Sequence, residues 1–149
     1  MQLSPHFADT ELGVAGCEQR LIANATVLCE KLLEPVRVKF GSIAVDDGYR
    51  DPGHNARVGG ACDSQHLYEA GNAAADIRVT VPVAGGLQTV FDWIRLDSKL
   101  PFDQVILEFS KGAPACVHLS YDSGKATQRR EALVGETNGQ GSYTPAQVL

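Results

Sequence analysis

One short run limits what this chain can fold into more than any other. From Ala115 to Tyr121 the residues alternate in character. Val117, Leu119 and Tyr121 fall on one side of an extended strand, and Cys116, His118 and Ser120 on the other. A strand with one apolar side needs a packed layer against it. The expected layer is helices against a small, mostly antiparallel sheet.

The rest of the chain supplies those layers. Leu21, Ala25, Leu28 and Leu32 recur at helical spacing, which predicts a helix over 15–34, with Pro35 ending it. A strand is expected over 40–46, where Ile43 and Val45 alternate with small or polar residues. Residues 47–61 hold four glycines and a proline and read as a long loop, a kind of segment that is usually functional inside a compact domain. A strand over 74–80 follows. A second helix is expected over 85–96, with Leu87, Val90, Phe91 and Ile94 on one face and Trp93 in the core. Strands over 104–109 and 115–121 form a hairpin around a turn at 110–114. The tail after Ser123 is polar, and its last fifteen residues or so are expected to be poorly ordered. The sum is an α+β fold: a small, mostly antiparallel sheet flanked by helices, in one domain over 1–149 with its core at about 3–121.

Composition narrows the function. With 15 glycines and 7 prolines in 149 residues, the elements must be short. Thirteen basic and 18 acidic residues give a net charge of -5, and there is no basic face for nucleic acid. No apolar stretch approaches the roughly 18 residues that cross a bilayer, so no membrane insertion is expected. Met1 to Asp9 lacks the basic and apolar regions of a signal peptide, so synthesis in a cytoplasm is expected. The cysteines at 17, 29, 62 and 116 form no C-x-x-C pair. Cys17 and Cys29 would stand roughly 18 Å apart along the predicted helix, beyond disulfide reach. A reduced compartment is the simpler expectation.

Three residues suggest chemistry. His118 is on the polar side of its strand, Asp76 stands among small residues in Ala74–Val79, and His66 follows the glycine-rich loop in Ser64-Gln65-His66-Leu67. Two histidines and a carboxylate can hold zinc with a fourth position left to water. A separate carboxylate must then take that water's proton, and Glu108, on the hairpin strand opposite His118, is the candidate. Spacing alone leaves other readings open. His66 can cap a loop while His118 is a satisfied buried histidine. Cys62, His66, Cys116 and His118 can form a closed structural zinc site. Cys62 and Cys116 can pair as a disulfide if the chain is exported, and otherwise Cys116 is a free thiol lining a pocket. His54 lies near Arg50 in the loop, His6 reads as structural, and Asp46-Asp47 as a solvated turn.

An ordered set of short pieces adds to this. Leu3-Ser4-Pro5-His6-Phe7, Gly48-Tyr49-Arg50, Asn55-Ala56-Arg57-Val58-Gly59-Gly60, Ser64-Gln65-His66-Leu67, Ala74-Ala75-Asp76-Ile77, Phe102 to Phe109 and Val117-His118-Leu119-Ser120 resemble, in this order, the M15 zinc peptidases. The similarity is to the phage and bacterial branch of D-Ala-D-Ala carboxypeptidases and endolysins. It implies a hedgehog/DD-peptidase-like fold and one zinc ion per chain on His66, Asp76 and His118. It implies Arg50 as the group that holds a substrate carboxylate or carbonyl, and it puts the catalytic acid or base in the strand that carries Glu108. Ser64 and Gln65, next to a ligand, are expected to brace it or to meet substrate. Three positions depart from the family pattern. Asp76 stands ten residues after His66 where seven are usual, as if Tyr68-Glu69-Ala70 were inserted, and this leaves Glu69 as an alternative carboxylate. Ala115 stands where many members carry their acid, and Cys116 where tryptophan is common.

The expected activity is zinc-dependent hydrolysis of peptidoglycan stem peptides, as a D-Ala-D-Ala carboxypeptidase or an L-Ala-D-Glu endopeptidase. The alternative is a catalytically silent binding or virion structural module on the same fold. The expected partners are wall peptides, with no nucleic acid, and the expected state is a monomer. Its place of action would be the cell wall after phage-type release, or the virion.

Overall fold

The computed structural model describes residues 1–137 and 142–149. Residues 138–141, part of the tail expected to be poorly ordered, lie outside the described residues. The chain opens with a small hairpin of β1 (Gln2–Ser4) and β2 (Phe7–Ala8). His6, at its turn, bonds through Nδ1 to Glu34 at 2.7 Å, the structural role expected of it.

The first long helix departs from expectation at both ends. α1 (Gln19–Leu28) runs into a π-helical turn (Cys29–Leu33) and then α2 (Glu34–Phe40). The Glu34 N–H reaches back five residues to the Cys29 carbonyl. This wider turn gives α2 a fresh first turn, where a missing N–H costs nothing, and Pro35 sits there without ending the helix. Leu21, Ala25, Leu28 and Leu32 are all buried, as their spacing predicts.

The main sheet has the order β3-β4-β6-β5-β7-β8. β3 is Ile43–Asp47, β4 Asn72–Val79, β5 Gln104–Ser110 and β6 Ala113–Asp122. These four run antiparallel, so the expected α+β architecture is present. α1 and α4 (Gly86–Asp92, extended by a π turn at Trp93–Asp97) cover one face of the sheet. Ala75, Ile77, Val117, Leu119, Val105 and Leu107 pack under them in the core. The opposite face carries Asp76, His118, Ile106 and Glu108.

Two sequence expectations change here. The loop 47–61 is not all irregular: Asp51 accepts a bond from the His54 N–H and caps a short helix, α3 (Pro52–Arg57). Among the described residues, the tail after Ser123 carries two strands, the second within the last fifteen residues. β7 (Glu131–Glu136) pairs in parallel with β5, and β8 (Thr144–Ala146) pairs with β7. The run Ala132-Leu133-Val134 is short, but Ala132 is buried and the unpaired edge of β5 gives its backbone a place to bond.

Candidate active site

The centre of the site is made by strand register. Asp76 of β4 lies directly across from His118 of β6, so both side chains rise from the same face side by side. His66 comes from outside the sheet, on a single helical turn over Gln65–Leu67. The Ser64 hydroxyl accepts from the His66 N–H at 3.2 Å and starts that turn, and Tyr68 closes it in a left-handed conformation. The inserted residues are clamped from α1: Arg20 donates to the Tyr68 and Ala70 carbonyls, and Asn24 to the Ala70 carbonyl. Tyr68 is fully buried and donates its hydroxyl to the Ala74 carbonyl, while Glu69 points to solvent. The extra length is therefore taken up before β4 begins, and Asp76, not Glu69, meets the histidines.

His66 Nε2 is 3.2 Å from His118 Nδ1 and 3.3 Å from an Asp76 oxygen, and His118 Nδ1 is 3.1 Å from that oxygen. The edges of this triangle are close to the roughly 3.3 Å edge of a tetrahedron with bonds of about 2.0–2.1 Å. The outer ring atoms fix the tautomers. His66 Nδ1–H donates to the Gly48 carbonyl at 2.7 Å, and His118 Nε2–H to the Gln65 side-chain carbonyl at 3.3 Å. Neutral imidazoles bonded in this way turn both inner lone pairs toward a carboxylate. Three acceptors converging in a buried place call for a cation, and the three residues could hold a metal ion. Without one, a proton must fill the place. Burial opposes charge on His66, yet the Asp76 carboxylate prevails and raises its pKa. Burial likewise pushes Asp76 upward, but hydrogen bonds from His118 and His66 hold its carboxyl well below the usual range.

The supports are as specific as the three converging side chains. Gly48 has no room for a Cβ, because the Leu12 carbonyl lies against it, and the neighbouring Tyr49 N–H bonds that carbonyl at 2.8 Å. The N-terminal segment thus fixes the carbonyl that orients His66. Gln65 orients His118 with its oxygen and donates from its amide to the buried Asp103 at 2.8 Å. Arg129 grips Asp103 with two guanidinium nitrogens, at 3.1 and 2.8 Å. Burial works against the Asp103 charge, but Arg129 lowers its pKa on balance.

Around the centre lies an open pocket of about 750 Å³. Arg50 lines it, with Nε on the Asp47 carboxylate, Nη1 on Asn55 at 3.3 Å and Nη2 at 3.7 Å from Asp76. Asp47, expected in a solvated turn, is instead the ion partner of Arg50, while Asp46 pairs with Arg78. Ser64 and Gln65 also reach the pocket wall. His54 is half-buried on α3 and does not line it. Glu108 faces the pocket but pairs across the hairpin with Cys116, and it is Ile106 that lies opposite His118. The turn is tighter than expected, with Ser110 opposite Ala113, and a bulge at Ala115 shifts the register. Carboxylate oxygens of Glu108 and Asp76 and the Cys116 sulfur all lie within 4.8 Å of one another. Burial first, and then the Asp76 charge, raise the pKa of Glu108. Cys116 and Cys62 are both free thiols; Cys62 is exposed and outside the His66–Asp76–His118 cluster, which excludes the Cys2His2 arrangement.

A histidine–aspartate–histidine centre beside an acid and an arginine matches the order of the sequence pieces, and the family model described as Peptidase M15 matches residues 5–98. The chain belongs to the peptidase M15 family. No curated protein matches it. The matched part of this M15 peptidase includes Arg50, Ser64, Gln65, His66 and Asp76, whereas Glu108 and His118 lie beyond it. Sequence reasoning missed four residues at the site of the peptidase. Asp103 stood inside a quoted piece, and its acid between Phe102 and Gln104 was the available signal. Arg129, Thr137 and Tyr143 line the pocket from the tail and belong to no local pattern, because only the pairing of β7 with β5 brings them there.

Proposed function

We propose that this M15 peptidase is zinc-dependent and hydrolyses the stem peptides of bacterial peptidoglycan. The observation that carries the reading is the convergence of three lone-pair donors in a pocket whose wall also holds Glu108 and Arg50. His66, Asp76 and His118 would hold the metal, and two imidazoles with one carboxylate suit zinc. When bound, zinc supplies a Lewis acid and makes a bound water acidic enough to act as a nucleophile near neutral pH.

The protein's own residues do the rest. Glu108 takes the proton of the attacking water and returns it to the leaving amine; its buried place next to Asp76 suits a carboxyl that must both accept and release a proton. Arg50, held by Asp47 and Asn55, presents its guanidinium to a substrate carboxylate or carbonyl. Ser64 and Gln65 act mainly by fixing His66 and His118, and their pocket edges are available to the peptide. The pocket volume falls in the range of sites that enclose ligands larger than a single amino acid. We place the reaction at the cell wall, reached after release from the cytoplasm.

The test is mass spectrometry of purified muropeptides incubated with zinc-loaded protein, beside a chelated control. A chelator-sensitive product is expected. Loss of one alanine identifies a carboxypeptidase, and a freed stem fragment an endopeptidase. No product from protein shown to hold its zinc would overturn the reading in favour of a binding module.

A further inference from the structure

Tyr143 is placed with unusual care for a residue of the tail. Gly135 of β7 stands in register beside Glu108 of β5. The Tyr143 ring lies against Gly135 so closely that a Cβ there would overlap Cδ1 and stand 2.9 Å from Cε1. Only glycine leaves that slot open. The ring is thus set beside the strand position of Glu108, and both side chains line the same pocket. The hydroxyl makes no hydrogen bond among the described residues. A partly buried tyrosine hydroxyl usually has a partner, and one that lacks it inside a pocket is available to a ligand.

We propose that the Tyr143 hydroxyl is a catalytic group that donates a hydrogen bond to the substrate carbonyl oxygen as that oxygen gains negative charge beside Glu108. The assignment rests on the peptidase reading above. Glu108 has its task at the attacking water and the charged Arg50 is held by Asp47 and Asn55, and Tyr143 adds a neutral donor on the same pocket wall. A phenol suits that donor role because its proton stays in place. Burial, followed by the charges of Glu108 and Asp76, pushes its pKa up to about 12. A preorganised donor aimed at developing charge is typically worth about 100-fold or more in rate.

Tyr143→Phe keeps the ring in its slot and removes only the hydroxyl. In zinc-loaded protein, kcat on the muropeptide substrate should fall about 100-fold with KM nearly unchanged, the pattern of a contact made only in the transition state. Metal content and melting temperature should match the parent protein. A phosphinate dipeptide analogue, whose tetrahedral anion mimics the reacting centre, should bind at least about tenfold more weakly to Y143F by calorimetry. Gly135→Ala, which displaces the ring, should reproduce the loss. Full kcat in Y143F, a rise in KM alone, or unchanged phosphinate affinity would overturn the role of Tyr143 while leaving the peptidase intact. A parent protein that cuts no muropeptide overturns the peptidase reading and this assignment with it.

Discussion

His118 meets three neighbours at once, His66 and Asp76 at its inner ring nitrogen and Gln65 at its outer one. His118→Ala removes a third of the donor set, so metal content by mass spectrometry should drop and turnover should fall by at least about 100-fold. Glu108→Gln keeps its shape and leaves the donors untouched. It should keep the metal and lose about 10²–10⁴-fold in kcat, and an active variant would move the proton-transfer role elsewhere. Asp103 gives a pH signature. Its folded pKa lies below its ordinary value of 3.8, so its stabilising effect is complete above about pH 4 and fades as pH falls through the folded value. Melting temperature measured from about pH 6 down to pH 2 should decline more steeply in the parent protein than in Asp103→Asn, and equal slopes would refute the role of the Arg129 pair. Gln65 shows what sequence could not supply. Its neighbourhood to His66 was legible, but its service to His118, far along the chain, depends on a fold that brings the two together.

Among the elements, the N-terminal segment that passes Gly48 is coupled most directly to the site. Gly48→Ala should force the Leu12 backbone away and move the carbonyl that orients His66. A stability loss of about 1–3 kcal/mol and a metal affinity lower by about 10–100-fold are expected, read by thermal melting and metal competition. Unchanged metal affinity would mean that the carbonyl is not what holds the ring. Most elements were legible because their signals are local. The alternation of Val117, Leu119 and Tyr121 gave β6 its faces, and the spacing from Leu21 to Leu32 gave a helix. What escaped was non-local or compensated. Pro35 reads as a stop unless a π turn precedes it, and the exact partner of Glu108 depends on the tight turn and on the bulge at Ala115, which moves it by one residue to Cys116. α3 escaped because its glycine and proline look like loop, although Asp51 caps it and proline suits a first turn.

At the scale of the whole molecule, the core does not stop at residue 121. Ala132 is buried, Arg129 neutralises a carboxylate under the site, and β7 covers the edge of β5. Removing everything after Ser123 should leave Asp103 without its guanidinium partner and an open strand edge exposed. We expect that truncation to melt well below the parent protein or to aggregate, as scored by calorimetry and size-exclusion chromatography. A cooperative, soluble, equally stable 1–123 fragment would show the tail to be an accessory. Among the described residues, no helix is long and apolar enough to cross a membrane.

The parallel pairing of β7 with β5 also sets an order in time. A hairpin such as β5–β6 can zip as soon as its two strands exist, but a parallel neighbour must wait until the antiparallel strand and the connection between them have been laid down. The side chains of His66, Asp76 and His118 can therefore meet while the wall that bears Arg129 and Tyr143 is still missing. On refolding, metal capture should run ahead of catalytic competence, and on the ribosome the finished hydrolase should appear only once the last strands have docked.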